Sequence, residues 1–272
     1  MIIRFGFVAM SLLLENASPS KTITYKSYQK LTSDETRLYH LRKLTEENLV
    51  NTLRILIHAH AHDVQLYRIT SKLVPLATHQ EVIDWDYTLE LADYFQKIKD
   101  YIHTTGMRIS AHPDHLNKAK ATFESNFSTL PQEIKDRVIL ENDDKSYTAS
   151  ETLGLCEKLH LPMVFDVHHH LCNSDGLSLS EILSPIFDTW EYQNLPPKVH
   201  YSSPKSISAI RSHADNINSE EFYKFLIEAK ELNRNFDVML EAKNKDTALI
   251  NLMVDLKNKE GIKFIDGAII EL

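Results

Sequence analysis

Met163-Val164-Phe165-Asp166-Val167-His168-His169-His170 is the stretch on which the reading of the fold turns. The apolar run from Leu161 to Phe165 reads as a buried strand, and it leads straight into an aspartate and three histidines. An α/β barrel keeps its chemistry at the C-terminal ends of its strands. A hard carboxylate oxygen beside imidazole nitrogens also suits manganese, zinc or iron(II) better than magnesium or calcium. Taken alone, the segment reads as well as a polar loop with surface histidines, so the other strand ends have to decide.

Upstream, Ile2–Val8 has the β-branched and aromatic content of a first strand, followed by a long polar loop. Apolar residues recur at helical spacing from Leu38 to His60, and Gln65–Ile69 is a second strand with His79 in the loop beyond it. Asp84–Thr105 is amphipathic and is closed by Gly106, and Met107–Ala111 is a third strand that runs into His112. Phe123–Leu130 is helical, Arg137–Leu140 leads to Glu141, and Ser150–Leu159 is the helix before the central strand. Downstream, helices over 179–187, 220–232 and 246–257 alternate with strands over 198–202 and 236–240. This alternation implies a parallel sheet built from right-handed crossovers. The count is seven strands, one short of a closed barrel of eight. The connection between the strands ending at Ala111 and Leu140 is short, which puts the gap there. The expected fold is therefore a single TIM-type (β/α) barrel domain over 1–272, lacking one internal strand-helix unit, with a C-terminal hairpin over 261–272.

Length agrees: 272 residues is close to the roughly 250 that such a barrel takes. Cys156 and Cys172 lack zinc-finger spacing and fit a reducing cytosol. A formal charge of −8 argues against indiscriminate nucleic-acid binding, although bound divalent cations would offset clustered carboxylates where a phosphate approaches. No apolar stretch approaches the length of a membrane span, and no membrane partner is expected.

Six of the seven strands exit into metal-ligand chemistry: His79, His112, Glu141, Asp166 with His169, His200, and Glu241. In a barrel these exits converge on one face. Carboxylates from different strands flanked by imidazoles hold two or three divalent ions close together, an arrangement suited to displacement at phosphorus. Lys205, Arg211 and Lys243 would form a basic rim that positions DNA without reading its sequence. His58 and His62 share a helix face, but near a helix C-terminus they read as complements to its dipole.

The ordered set PLATHQ (75–80), RISAHPDH (108–115), VILENDDKSYT (138–148), MVFDVHHHL (163–171), PPKVHYSSP (196–204), RSH (211–213) and DVMLEAKNKD (237–246) resembles the UV damage endonuclease family, nearly end to end. That family belongs with the endonuclease IV-like metal-dependent barrels. The resemblance implies a repair endonuclease that hydrolyses the bond 5′ to UV photoproducts or other lesions in double-stranded DNA. Glu141, Asp166, His200 and Glu241 are implied as core ligands, His112 as a ligand of a first site, and His169 and His213 as ligands of a third. His79 is implied as an outer or phosphate-side ligand. Lys198 would sit beside the metals, either carboxylated or as a cationic contact to phosphate, and with Glu141 and Glu241 makes up the catalytic set. The ions would be manganese, with zinc or cobalt as alternatives. His115 and Leu116, with Phe7 as a second candidate, stand where a probe would enter the duplex. A monomer acting in the cytoplasm, on nucleoid DNA, is expected.

One departure stands out. In the family, the HP strand is followed by a helix and a strand ending in an HxGG motif whose histidine serves the first site, and no HxGG occurs here. This is the hole that the strand count finds independently. Two other readings stay open: a damage-binding or inactive remnant of the enzyme, and a sugar isomerase of similar barrel type.

Overall fold

β1 (Ile2–Val8) is common to both compact units into which the chain divides in the computed structural model, which describes residues 1–111 and 120–272. The first unit takes in Gly6 to the end of the third strand, with Lys245–Thr247. In chain order it holds α1 (Tyr25–Gln29), α2 (Asp34–Ala61), β2 (Leu66–Ile69), α3 (Tyr87–Glu90), α4 (Ala92–Thr105) and β3 (Arg108–Ala111). β2 pairs in parallel with β1 on one side and β3 on the other. Ser33 caps α2, and its first turn carries Asp34 and Glu35, as the helix dipole favours. Leu41, Leu49 and Leu56, which the sequence periodicity marks, are buried, together with Ile55. The helix expected over 84–105 is divided at Leu91, because Asp86 caps a separate short turn by accepting from Leu89 N at 3.0 Å. Gly106 ends α4 at φ 69°, its N–H on Ile102 O.

The second unit holds Met1–Phe5, the described part of 115–244, and Ala248–Leu272. Its elements are α5 (Lys120–Ser128), α6 (Gln132–Lys135), β4 (Leu140–Glu141), α7 (Ala149–Leu159), β5 (Met163–Asp166), α8 (Val167–Cys172), α9 (Leu179–Asp188), β6 (Lys198–Tyr201), α10 (Ser219–Lys230), β7 (Phe236–Leu240), α11 (Lys245–Leu256) from Ala248 onward, β8 (Lys263–Asp266) and β9 (Ile269–Glu271). β4, β5, β6 and β7 lie side by side in parallel. Every residue of β5, β6 and β7 is buried, as befits strands covered on both faces. β8 and β9 form an antiparallel hairpin, and β9 pairs with the start of β1 through Ile3 and Ile270.

Among the described residues seven parallel strands are thus present, β1 to β7. β3 and β4, which flank the short connection, each have one strand partner among the described residues. No helix among the described residues is long and apolar enough to cross a membrane.

Alternation along β1 settles one expectation. Arg4 reaches Asp237 on β7 through two bonds, Nε to Oδ1 at 2.8 Å and Nη2 to Oδ2 at 3.0 Å. The neighbouring positions pack elsewhere: Phe5 meets the Phe222 ring edge-on at 5.8 Å. Phe7, expected to probe DNA, is buried with 1% of its surface exposed and stands edge-on to Tyr67 at 5.6 Å. It is a core residue, because insertion into a duplex would strip that packing away.

Candidate metal centre

The centre lies in the second unit and is assembled from four adjacent strand ends. Glu141 is the last residue of β4, Asp166 the last of β5, His200 the last but one of β6, and Glu241 follows β7 directly. The parallel register aligns them, with Asp166 opposite His200 and Glu241 N on Tyr201 O at 2.9 Å. Ligand atoms of these four residues all lie within 4.8 Å of one another. His200 Nδ1 donates to Glu141 Oε1 at 2.8 Å and stands 3.2 Å from Glu241 Oε1.

Asp166 carries the clearest sign of what the centre takes. Its Oδ1 caps α8 by accepting from His169 N at 2.8 Å. Its Oδ2 is buried without a hydrogen-bond partner, and His169 Nδ1 is 3.6 Å away. Burial holds the Asp166 carboxyl well above the ordinary carboxylate range, and the charges of Glu141 and Glu241 push the same way. Three carboxylates and an imidazole, with one buried oxygen unsatisfied, make a donor set that fits a divalent cation.

Main-chain carbonyls fix the surrounding imidazoles. His169 Nδ1 donates to Asn142 O at 2.8 Å and His213 Nδ1 to Glu241 O at 2.7 Å. Because a carbonyl only accepts, the neutral form of each ring carries its hydrogen on Nδ1 and its lone pair on Nε2, the tautomer a metal ligand needs. Asn142, 1% exposed, clamps the backbone of Asp166 from both sides: Nδ2 donates to Asp166 O, and Oδ1 accepts from Asp166 N, each at 2.9 Å. His168 is buried and donates Nε2–H to Ile210 O at 2.6 Å, so its Nδ1 accepts from the Ser202 hydroxyl, also at 2.6 Å. Burial pushes its pKa below the ordinary imidazole value. The sequence reading gives neither Asn142 nor His168 a role, and the only signal for Asn142 is a polar residue directly after a ligand at a strand end.

The remaining candidates fall as follows. Lys198 is 2% exposed and lies two residues before His200, hence on the same face of β6. Lys205, Arg211 and Lys243 are exposed in the second unit, and Arg211 Nε donates to Asp144 O at 3.1 Å. His79 belongs to the first unit, stacked on Tyr25 with ring centres 4.0 Å apart, and its Nδ1 accepts from Glu81 N at 3.2 Å. His112, His115 and Leu116 lie outside the described residues. Cys156 and Cys172 are free thiols.

Parallel strands with carboxylates and imidazoles at their C-terminal ends define a TIM-type α/β protein with a centre that could hold a divalent metal ion. The family model of the UV-endonuclease UvdE matches residues 3–120 and 116–272, and the chain belongs to that family. UV DNA damage endonucleases of Bacillus thuringiensis subsp. konkukian (strain 97-27) and Bacillus cereus (strain G9842) are each 39% identical to it, with both sequences covered in full. The crystal structure of SacUVDE shares the fold with a TM-score of 0.79 and 26% identity, over 94% of this chain and 98% of that one.

The alignment with the B. thuringiensis relative spans 318 positions and uses every residue of a 272-residue chain, so 46 positions have no counterpart here. The family match breaks into two segments at 116–120, in the connection between β3 and β4. The sequence count of strands puts its gap in the same connection.

Proposed function

We propose that the chain is a divalent-metal-dependent DNA repair endonuclease that hydrolyses the phosphodiester 5′ to UV photoproducts or other lesions in double-stranded DNA. The observation that carries this reading is the convergence of Glu141, Asp166, His200 and Glu241 within 4.8 Å from four successive strand ends. Family membership supplies the reaction class, and full-length likeness to named endonucleases leaves no observation on the side of a sugar isomerase. DNA is the substrate.

Glu141, Asp166, His200 and Glu241 would hold the central ions, two or three in number, and His169 and His213 would offer Nε2 to one of them. A bound divalent ion supplies Lewis acidity toward phosphate oxygens and lowers the pKa of water. Manganese is favoured by the mixed oxygen and nitrogen donors, with zinc and cobalt as alternatives. Lys198 serves beside the ions, carboxylated or as a cation facing phosphate. His79 and His112 are proposed as outer and first-site ligands, and His115 and Leu116 as the residues that enter the duplex. Lys205, Arg211 and Lys243 hold the DNA backbone. The enzyme acts as a monomer in the cytoplasm, on nucleoid DNA.

Incubation of UV-irradiated and unirradiated supercoiled plasmid with Mn²⁺ tests the reading. Nicking is expected only on irradiated plasmid, and Glu141→Gln should lower it by more than the about 10–100-fold that an outer-sphere change costs. Nicking of both plasmids alike, or no effect of Glu141→Gln, would sink it. The 46 absent positions favour one second reading, a damage-binding chain that does not cut. Tight binding of irradiated plasmid with no nicking in any of Mn²⁺, Zn²⁺ or Co²⁺ would establish that instead.

A further inference from the structure

Between β6 and α10 the chain makes a narrow loop that leaves the metal centre after His200 and returns to it at His213. Its base is closed by an antiparallel bridge between Pro204 and His213, by Lys205 N on Ser212 O at 2.6 Å, and by Ala214 N on Ser203 O at 2.8 Å. Its tip is a 3-10 turn over Ile207–Ala209, capped by the Ser206 hydroxyl, which accepts from Ala209 N at 3.1 Å. From beneath, buried His168 holds the Ile210 carbonyl at 2.6 Å.

At this tip Ile207 is 100% exposed, more than any other large apolar side chain among the described residues. Single exposed aliphatics are ordinary, but this one crowns a turn whose backbone is already tied down. The exposed side chains of Lys205 and Arg211 flank it, and the nearby carboxylate, that of Asp144, lies 3.5 Å from Arg211 Nε. An aliphatic point between two cations complements a nucleic-acid duplex: phosphates meet the charges, and the wedge parts a base step.

We propose that Ile207 is a second wedge, entering the base stack of the damaged duplex beside the cleavage site while Lys205 and Arg211 hold the phosphates around it. The proposal rests on the endonuclease reading. A lesion that has already weakened stacking lowers the cost of its entry.

The test uses the full chain carrying Glu141→Gln, so that DNA is bound without being cut, and a fluorescent duplex with one thymine photoproduct and 2-aminopurine next to it. Adding Ile207→Ser should weaken binding to this duplex by about tenfold or more and abolish the rise in 2-aminopurine fluorescence that reports unstacking. Ile134→Ser, which removes an isoleucine 47% exposed on α6, should change neither. Lys205→Ala should lower the slope of log affinity against log salt by about 1. An unchanged thermal midpoint for Ile207→Ser shows that the fold is intact. If Ile207→Ser binds and unstacks as its parent does, the wedge is overturned while the endonuclease reading stands. If the unsubstituted chain neither binds nor nicks photoproduct DNA, both fall.

Discussion

Asp166 shows how one side chain can do two jobs that are hard to combine. One oxygen begins a helix and the other is buried beside the charges of Glu141 and Glu241, where a cation would neutralise it. What keeps it in place is Asn142, whose amide holds both the N–H and the C=O of the aspartate. Asn142→Ala leaves those two groups without partners and frees the strand end that carries Glu141. Metal affinity should fall by about 10–100-fold, with the far-ultraviolet circular dichroism retained, as isothermal titration with Mn²⁺ would measure. An affinity equal to that of the unsubstituted chain would show that the clamp is idle.

At the level of elements, β1 and β2 approach so closely that only glycine fits at position 6. A Cβ there would lie 2.4 Å from both Leu66 Cβ and Leu66 O, and backbone cannot step aside. Gly6→Ala should therefore destabilise the protein by about 1–3 kcal/mol or more, read from urea unfolding. The strand ends are legible in the sequence because a buried strand is a continuous apolar run and its polar successor breaks the run sharply. Phe7 is misread because an aromatic on a strand looks the same whichever face it occupies. α8 is hidden as well, since Val167–Cys172 is one short helix begun by Asp166 rather than a tail of loop histidines. His168 and Asn142 leave little pattern: the backbone atoms they hold, Ile210 O and Asp166 O, stand 42 and 24 residues away and only folding brings them near.

For the whole molecule, the crowded carboxylates tie stability to metal ions and to pH. Burial, then Glu141 and Glu241, raise the Asp166 pKa, so the folded metal-free chain keeps a proton that the unfolded chain has released. Stability of the metal-free protein should fall as pH rises above about 4, the ordinary carboxylate range. An ion at 100 times its Kd should add about 2.7 kcal/mol, most visibly at the alkaline end, where Asp166 would otherwise repel its neighbours. Thermal midpoints in EDTA and in Mn²⁺, compared from about pH 5 to about pH 8, should diverge as pH rises. Parallel curves would mean that Asp166 is not the group that responds. The carbonyl anchors on His169 and His213 have one more consequence. As proposed ligands whose aim is set by the peptide planes of Asn142 and Glu241, both rings resist swivelling to suit a guest of another radius. The pocket should therefore sort ions by where they can sit rather than by how hard they pull, and a tightly held misfit would poison the enzyme.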